Sequence, residues 1–582
     1  MTRREGTGPG DDTDRRLRRE VWLMGRPDAA RAPSDSLTVV VCYPQSYELG
    51  MSNLGFQTAF RSFAEQPGVH CERAFLPPAR ESAPGLLVTG SAGDRPSDRA
   101  GQRADAPAAV SLETGTPLRD FDVVAFSVSY ELDFLGLARM LEAGGVPLRA
   151  RERGEDDPLV LMGGVCSLLN PEPVADFLDA AAIGDARALA PAVSTSLLAG
   201  RAMDRRERLS ALTRVPGIYV PSFYEPTHDG DGTLSGFRAL DGAPLPVRAN
   251  WGGRGAPAVT AVISSGSHFA DAFLVEMSSG CARRCRYCAA GHVYHPVVFH
   301  DLEEMERSVD APLEHTRRVG LVSAALADHP SAVELLTRLA ERGVEVTVSS
   351  IHADRVDRRL ASALVKAGVR TVTLAPETGT ERLRSAIGKP VTDDVLSSAV
   401  SALASEGIEG LKLYFMLGLP GEMDEDVEAI PPLARGLFET FASGRRRVRT
   451  SVGLSSFVPK PRTPFQWLPM AGVAELRSKL SFVRRGLSRY SRIDVSAGGP
   501  REARREGVLA RGGRELSNAI ALCVEEGLPW GAALRTAAVD PKTVLDRLRD
   551  EGEVFPWDVV DVGLSKERLL ASLRKARKEW DL

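Results

Sequence analysis

Cys281, Cys285 and Cys288 stand in the run GCARRCRYCAAGH, three thiols within eight residues of a chain that has only seven cysteines. A closed zinc or iron–sulfur site takes four protein ligands, so three leave one metal position open to another molecule. The run therefore reads as a reactive centre rather than a structural staple. An odd cysteine count in a chain whose first residues lack a secretory pattern argues against a disulfide framework. His292 or His295 could complete a Cys3His zinc set, but such sites normally draw two ligand pairs from separate segments. Three soft thiolates this close suit an iron–sulfur cluster better.

The bulk properties narrow the class. A length of 582 residues with 43% hydrophobic side chains supplies about three or four domains with buried cores. A net charge of −4 gives no global field for nucleic acid or an acidic membrane. Residues 1–20, MTRREGTGPGDDTDRRLRRE, lack an apolar signal segment, and no run of about 18 apolar residues suggests a membrane span. A cytoplasmic protein is expected, in a compartment that keeps thiols reduced.

Residues 1–35 read as a disordered leader and 82–108 as a flexible insertion, both rich in turn-forming and charged residues. Between and after them, LTVVVCYP (37–44), FDVVAFSVSY (121–130), PLVLMGG (158–164) and AAAIGD (180–185) are short apolar strands. Helical patterns near 53–65 and 131–143 alternate with them, predicting a doubly wound parallel sheet over 36–204. Residues 205–265 are turn-rich and read as a connecting region. A second βα series begins at AFLVEM (272–277), which runs into the cysteine loop. VGLVSA (319–324), VEVTVSSI (344–351), VRTVTLA (369–375), LKLYFML (411–417) and TSVGLSSFV (450–458) continue it, with Gly343 and Gly368 closing two helices. About six strand–helix units fall short of the eight of a full barrel, so 266–477 is expected to form a partial (β/α)6 barrel. The cysteines then lie at a strand's carboxyl end, where βα folds place their chemistry. Residues 478–582 read as a helical appendage that includes an amphipathic helix within 555–580.

This Cys-x3-Cys-x2-Cys run, with Tyr287 before the third cysteine, resembles the signature of the radical S-adenosylmethionine (radical SAM) superfamily. The resemblance implies a 4Fe–4S cluster on Cys281, Cys285 and Cys288. Its fourth iron would bind S-adenosylmethionine (SAM), and the reduced cluster would cleave SAM to a 5′-deoxyadenosyl radical. SSIHADRV (349–356), LAPETGTERLR (374–384) and LYFMLGLPGE (413–422) are similar to strand motifs of cobalamin-type members. By that analogy Tyr287 packs beside the adenine, Glu377 and Thr378 face the ribose or amino-acid end of SAM, and Gly418 and Gly421 admit the adenine. Read alone, Glu377 equally caps the helix that follows, and the glycines equally serve as turns.

Residues 36–204 resemble the cobalamin-binding-type domain that precedes many such barrels. Ser127, Ser129, Gly163 and Gly164 end its strands where a doubly wound fold binds its ligand, and the glycine pair would let a nucleotide tail approach the backbone. One departure stands out. The Asp-x-His-x-x-Gly loop of cobalt-ligating domains is replaced by YPQSYELGMSNLG (43–55), which has no histidine. Whole segments such as GGVCSLLNPEPVADFLDAAAIGD and GLSSFVPKPRTPFQW are similar to a radical SAM subfamily without an assigned substrate. That subfamily's acidic Gly-Glu-Gly turn after AAIG is replaced here by GDARAL.

The expected function is a radical SAM enzyme that abstracts hydrogen from its substrate. Cobalamin, a further candidate cofactor, would make methyl transfer to carbon the natural outcome. Flavodoxin or ferredoxin would be the reductant, and nucleic acid is not an expected partner. The alternatives are a methylthiotransferase acting on tRNA or a ribosomal protein, and a sensor that binds cluster and SAM without turnover. Cys42, Cys71, Cys166 and Cys523 read as small buried hydrophobes. His292 and His295 could carry protons, Lys460 and Arg462 could meet an anionic substrate, and Arg445, Arg446, Arg447 and Arg449 form a basic run.

Overall fold

A computed structural model of the chain describes residues 19–25, 35–78, 108–230, 232–252, 255–445 and 448–580. The leader expected at 1–35 and the insertion at 82–108 lie largely outside the described residues, as do Arg446 and Arg447. The chain forms two units, one from 1–250, 264–270 and 512–540, the other from 251–263, 271–511 and 541–582.

The first unit is built on β1 (Leu37–Tyr43), α1 (Leu54–Ala64), β2 (Val69–Phe75), β3 (Val123–Ser127), α2 (Asp133–Ala143), β4 (Leu159–Gly163), β5 (Ala180–Ala182), α3 (Ala186–Ala199) and β6 (Ile218–Tyr219). All five residues of β3 are buried, as expected for a parallel strand covered on both faces. The sheet order is β2–β1–β3–β4–β5–β6, parallel throughout except for antiparallel β6. Strand order reverses between β1 and β3, so a crevice opens there beyond the strands' carboxyl ends.

Strand β2, VHCERAF, was not read from the sequence, because its charged residues hide the strand pattern. Arg73 in it is fully buried and bonds Glu20 at 2.7 and 2.9 Å and Glu113 at 2.7 Å. Its guanidinium also lies 4.8 Å from the Trp22 ring centroid. The expected connecting region is more structured than its turns suggest. It carries a helix, Arg205–Thr213, with an Asp204–Glu207 capping box, and an antiparallel hairpin of Tyr224–His228 with Leu234–Ala239.

Residues 512–540 were expected in a helical appendage but belong to this first unit. Asn170 donates to the Gly512 carbonyl at 2.8 Å, and Arg514 bonds Glu172 at 3.1 Å and the Tyr219 hydroxyl at 2.7 Å. Long-range pairing of this kind leaves no local trace in a sequence.

The second unit carries β7 (Phe273–Glu276), β8 (Arg318–Val322), α4 (Ala332–Glu341), β9 (Glu345–Val348), α5 (Arg358–Lys366), β10 (Thr371–Glu377), α6 (Glu381–Ala386), α7 (Asp393–Glu406), β11 (Gly410–Leu417), α8 (Ile430–Ala442), β12 (Arg449–Ser456), α9 (Val473–Leu487) and β13 (Ile493–Ala497). The strands form two parallel sheets, β7–β8–β9 and β10–β11–β12–β13. Between them the Ile351 amide donates to the Thr373 carbonyl at 2.9 Å. The fold is α/β with parallel sheets. Strand β13 was not expected; it pairs with β12 from Thr450↔Ile493 to Leu454↔Ala497. The boundary drawn at 477 therefore cuts through α9 and separates this strand from its sheet. Helices α4 and α5 end where expected, at Gly343 (φ +69°) and Gly368 (φ +84°).

Two stability outcomes follow for the first unit. Asp133 is buried at the start of α2 and accepts from Gln45 at 2.8 Å, and burial pushes its carboxyl up to about 7. A raised carboxyl binds its proton more tightly in the folded state, so its contribution falls as pH rises from about 4 to about 7. Asp133→Asn keeps the acceptor for Gln45 and is expected to flatten that part of the stability–pH curve in urea titrations. Arg514→Met would leave buried Glu172 without its cation, and a loss of about 3–5 kcal/mol is expected by urea unfolding.

Candidate active site

The cysteine loop follows β7. A short strand, Ser278–Ser279, pairs antiparallel with Val298–Phe299 and closes the base of the loop. Cys281 and Cys285 are buried, Cys288 is partly exposed, and all three are free thiols. Burial pushes each thiol up, Cys285 to about 12. Lys389 pulls Cys285 down, while Cys288, Glu377 and Cys281 push it further up, so the three thiols share one electrostatic environment.

The residues between the cysteines tie this loop to the rest of its unit. Arg283 bonds both carboxylate oxygens of Asp328 at 2.8 and 2.6 Å and Asp354 at 2.6 Å. Against its own burial, hydrogen bonds from Arg283 and His352 hold the Asp328 carboxyl well below the usual range. Asp328 also accepts from Arg355 at 3.0 Å, so one carboxylate joins the loops after β7, β8 and β9. The Arg286 amide donates to the Ile387 carbonyl at 2.9 Å, and its guanidinium donates to the Ala386 carbonyl at 2.6 Å. Both acceptors lie at the end of α6.

Tyr287 donates its hydroxyl to Glu377 Oε1 at 2.7 Å. Burial and that carboxylate push the hydroxyl well above its ordinary value, so it remains a donor. The Lys389 ammonium reaches the same oxygen at 2.8 Å. Glu377 holds φ at +72°, a left-handed conformation rarely taken by a side chain of this size. The expected alternative role of Glu377 as a cap is filled by Thr380, whose hydroxyl accepts from the Leu383 amide. Next to Glu377, Thr378 is fully buried, and its hydroxyl has no partner within the protein. Three thiols, a carboxylate, an ammonium and an unpartnered buried hydroxyl form a donor set that fits a thiolate-held cluster and a zwitterionic ligand. Lys389 was missed in the sequence, since a lysine twelve residues past Glu377 carries no local signature.

Several expected roles change. His292 is buried, its Nε2 lies 3.2 Å from the Cys285 carbonyl, and burial lowers it to about 4. Through that contact it braces the loop between Cys285 and the helix turn that follows Cys288. His295 Nε2 lies 3.5 Å from Arg284. Gly421 (φ +74°) is packed by protein: a Cβ there would lie 2.4 Å from the Trp580 ring. A Cβ on Gly418 would lie 2.7 Å from Leu476, so both glycines are also required by packing within the chain. Lys460 pairs with Glu506 at 2.7 Å. Arg462, which burial lowers to about 10, donates to the carbonyls of Trp557 and Val560 and clamps that segment instead of facing a substrate. Arg445 donates to the Ile408 carbonyl at 2.5 Å, and Arg449 is exposed at the start of β12.

In the first unit, the crevice between β1 and β3 is polar. Asn53 donates to Ser129 at 3.1 Å and to the Tyr43 hydroxyl at 3.4 Å, and Gln45 donates to Asp133. Ser127 is buried and stands opposite Gly163 in the ladder. Gly164 (φ +96°) has another reason to be glycine: a Cβ would lie 2.4 Å from the Val128 carbonyl. Gly164, the residue before the short helix Val165–Leu169, thus lets the chain pass close to the Val128 carbonyl. Tyr43, Gln45, Asn53 and Asp133 were not singled out from the sequence. Cys42, Cys71, Cys166 and Cys523 are buried, as small hydrophobes are.

Two family descriptions match the chain: "Radical SAM proteins, N-terminal" over residues 95–221 and "Radical SAM superfamily" over 275–430. An uncharacterized protein of Methanocaldococcus jannaschii is 27% identical over 61% of this chain and 70% of its own length. An uncharacterized methyltransferase of Pyrococcus horikoshii is 27% identical over 18% of this chain and 23% of its own. The solved structure of the radical SAM methyltransferase TsrM of Kitasatospora setae, with cobalamin and a [4Fe-4S] cluster bound, shares the fold. It aligns with a TM-score of 0.50 at 13% identity, covering 86% of this chain and 99% of that one. Among the described residues no helix is long and apolar enough to cross a membrane. The cysteine loop lies within residues 275–430, the stretch that matches the radical SAM superfamily, so the chain carries a radical SAM domain of the kind found in enzymes.

Proposed function

We propose that the protein is a cobalamin-dependent radical SAM methyltransferase that transfers a methyl group to a carbon of its substrate. The observation that carries this reading is the three-thiol loop beside Lys389, Glu377 and Thr378, in a chain whose other unit has a polar crevice at a β1/β3 switch point. When bound, the cluster supplies the electron that splits SAM into methionine and a 5′-deoxyadenosyl radical, and a corrinoid supplies the methyl carrier. Cys281, Cys285 and Cys288 would hold the cluster by three thiolates, one protein ligand short of four, which would leave room for SAM. Lys389 offers a cation to the carboxylate of SAM, while Glu377 and the Thr378 hydroxyl offer acceptors to its amino group. Tyr287 keeps its ring beside this set through its bond to Glu377 and would pack against the adenine of a bound SAM. A flavodoxin- or ferredoxin-type reductant would deliver the electron.

The crevice of the first unit supports a corrinoid bound without an imidazole from the loop after β1. Gln45 stands in that loop and is engaged by Asp133, so the groups on offer are an amide and a carboxyl. The names of two similar proteins, a methyltransferase of P. horikoshii and the cobalamin-bound TsrM, agree with this reading. The methylthiotransferase alternative would need a second cluster, and Cys42, Cys71 and Cys166 are each buried in the first unit.

Protein reconstituted anaerobically with iron and sulfide and then reduced is expected to release methionine and 5′-deoxyadenosine from SAM. Cys285→Ala should reduce that release to background. A wild-type protein that holds a cluster yet leaves SAM intact would overturn the reading as a radical enzyme. With hydroxocobalamin added, corrinoid absorbance is expected to stay with the protein through desalting, and S-adenosylhomocysteine should appear once a substrate is present. Loss of all corrinoid on desalting would remove the cobalamin part of the proposal and leave hydrogen abstraction.

A further inference from the structure

The helix α10 (Lys566–Trp580) was read from the sequence as part of an appendage. In the structure it lies against the cysteine loop within the second unit. Leu569, Leu573 and Ala576, spaced by four and three residues, form its buried stripe. That stripe joins a core made with Leu383, Ala386 and Ile387 of the α6 segment and with Phe465, Trp467, Phe555 and Trp557, and Tyr287 packs against the same core.

The last turn of α10 makes two directed contacts. Glu579 bonds Arg286 with Oε2 2.5 Å from Nη1 and Oε1 3.4 Å from Nη2. Arg286 lies between Cys285 and Tyr287, and only 6% of its side chain is exposed. Trp580 fills the space left by Gly421 and stands 6.0 Å from the Phe465 ring. Phe465 in turn donates its amide to the Arg286 carbonyl at 3.3 Å. Arg382 of α6 completes the link by donating to the Gly421 carbonyl at 3.0 Å. One helix turn therefore touches the loop after β7 and the loop after β11, with α6 between them.

From this arrangement we infer that Glu579 and Trp580 are positioning residues for the cluster loop: Glu579 neutralises Arg286 beside two cluster ligands, and Trp580 fixes the Gly421 loop against the same core. The inference rests on the cysteine loop holding the cluster. A buried arginine without its carboxylate is an uncompensated cation next to Cys285. Such a charge favours the reduced, more negative cluster and moves its midpoint potential upward. A helix that only added packing would change the melting temperature and leave the potential alone.

The test uses the full chain, reconstituted anaerobically, as wild type, Glu579→Gln, Glu579→Asp and Trp580→Phe. Iron and sulfide per chain, an EPR-monitored redox titration and the change of the EPR signal on adding SAM are measured. Glu579→Gln is expected to keep its iron, to titrate at a more positive potential and to show an altered SAM-induced signal. Glu579→Asp should return towards wild type, and Trp580→Phe should weaken the SAM response several-fold at unchanged iron content. If Glu579→Gln and Trp580→Phe match wild type in potential and SAM response, the inference is overturned, whatever their melting temperatures. If the wild type itself takes up no iron, the cluster reading falls first and the inference with it.

Discussion

The carboxylate of Glu377 is the point on which the second unit's site turns. It receives the Tyr287 hydroxyl and the Lys389 ammonium on one oxygen, from a backbone held at φ +72°. Holding a bulky side chain in that conformation costs about 1–3 kcal/mol, offset here by bonds to a charged acceptor. The carboxylate joins the cysteine loop to β10 and holds an ammonium whose field reaches the thiols of Cys281 and Cys285. A change at Glu377 would release Tyr287 and Lys389 together, so its effect on the site exceeds that of either partner.

The cysteine spacing leaves little freedom to its own loop, and neighbouring side chains supply the shape. Arg283 reaches the loops after β8 and β9, and Arg286 reaches α6 and α10. The thiols are presented on a loop braced from two sides. Burial disfavours their charged forms, which a bound cluster requires. The site thus combines a fixed frame with buried thiols whose charged forms a bound cluster would have to stabilise.

The alternation of apolar strands with helices was legible because β1, β3, β4 and β7 to β12 are apolar runs of ordinary length between turn residues. The cysteine loop was legible from spacing alone. What escaped was set by partners distant in sequence. The β2 strand carries Glu72 and Arg73, whose burial depends on Glu20, Glu113 and Thr114. Strand β13 is five residues long and only its first is buried. The 512–540 segment joins the first unit through Arg514, Glu172 and Asn170. The packing need for glycine was hidden for the same reason: a Cβ at Gly164 or Gly421 would meet Val128 or Trp580, partners that no local window contains.

Among the described residues Arg73 lies on β2, an edge strand of the first unit's sheet. Side chains alternate faces along a strand, so sliding β2 by one residue would turn the guanidinium away from Glu20 and Glu113 to the opposite face. The misaligned state would strand one cation and two carboxylates at once, and the ion triplet thereby acts as a lock on alignment. An outer strand that carries its own inward charge is also a poor template for a foreign strand, which gives this sheet a defence against edge-to-edge association.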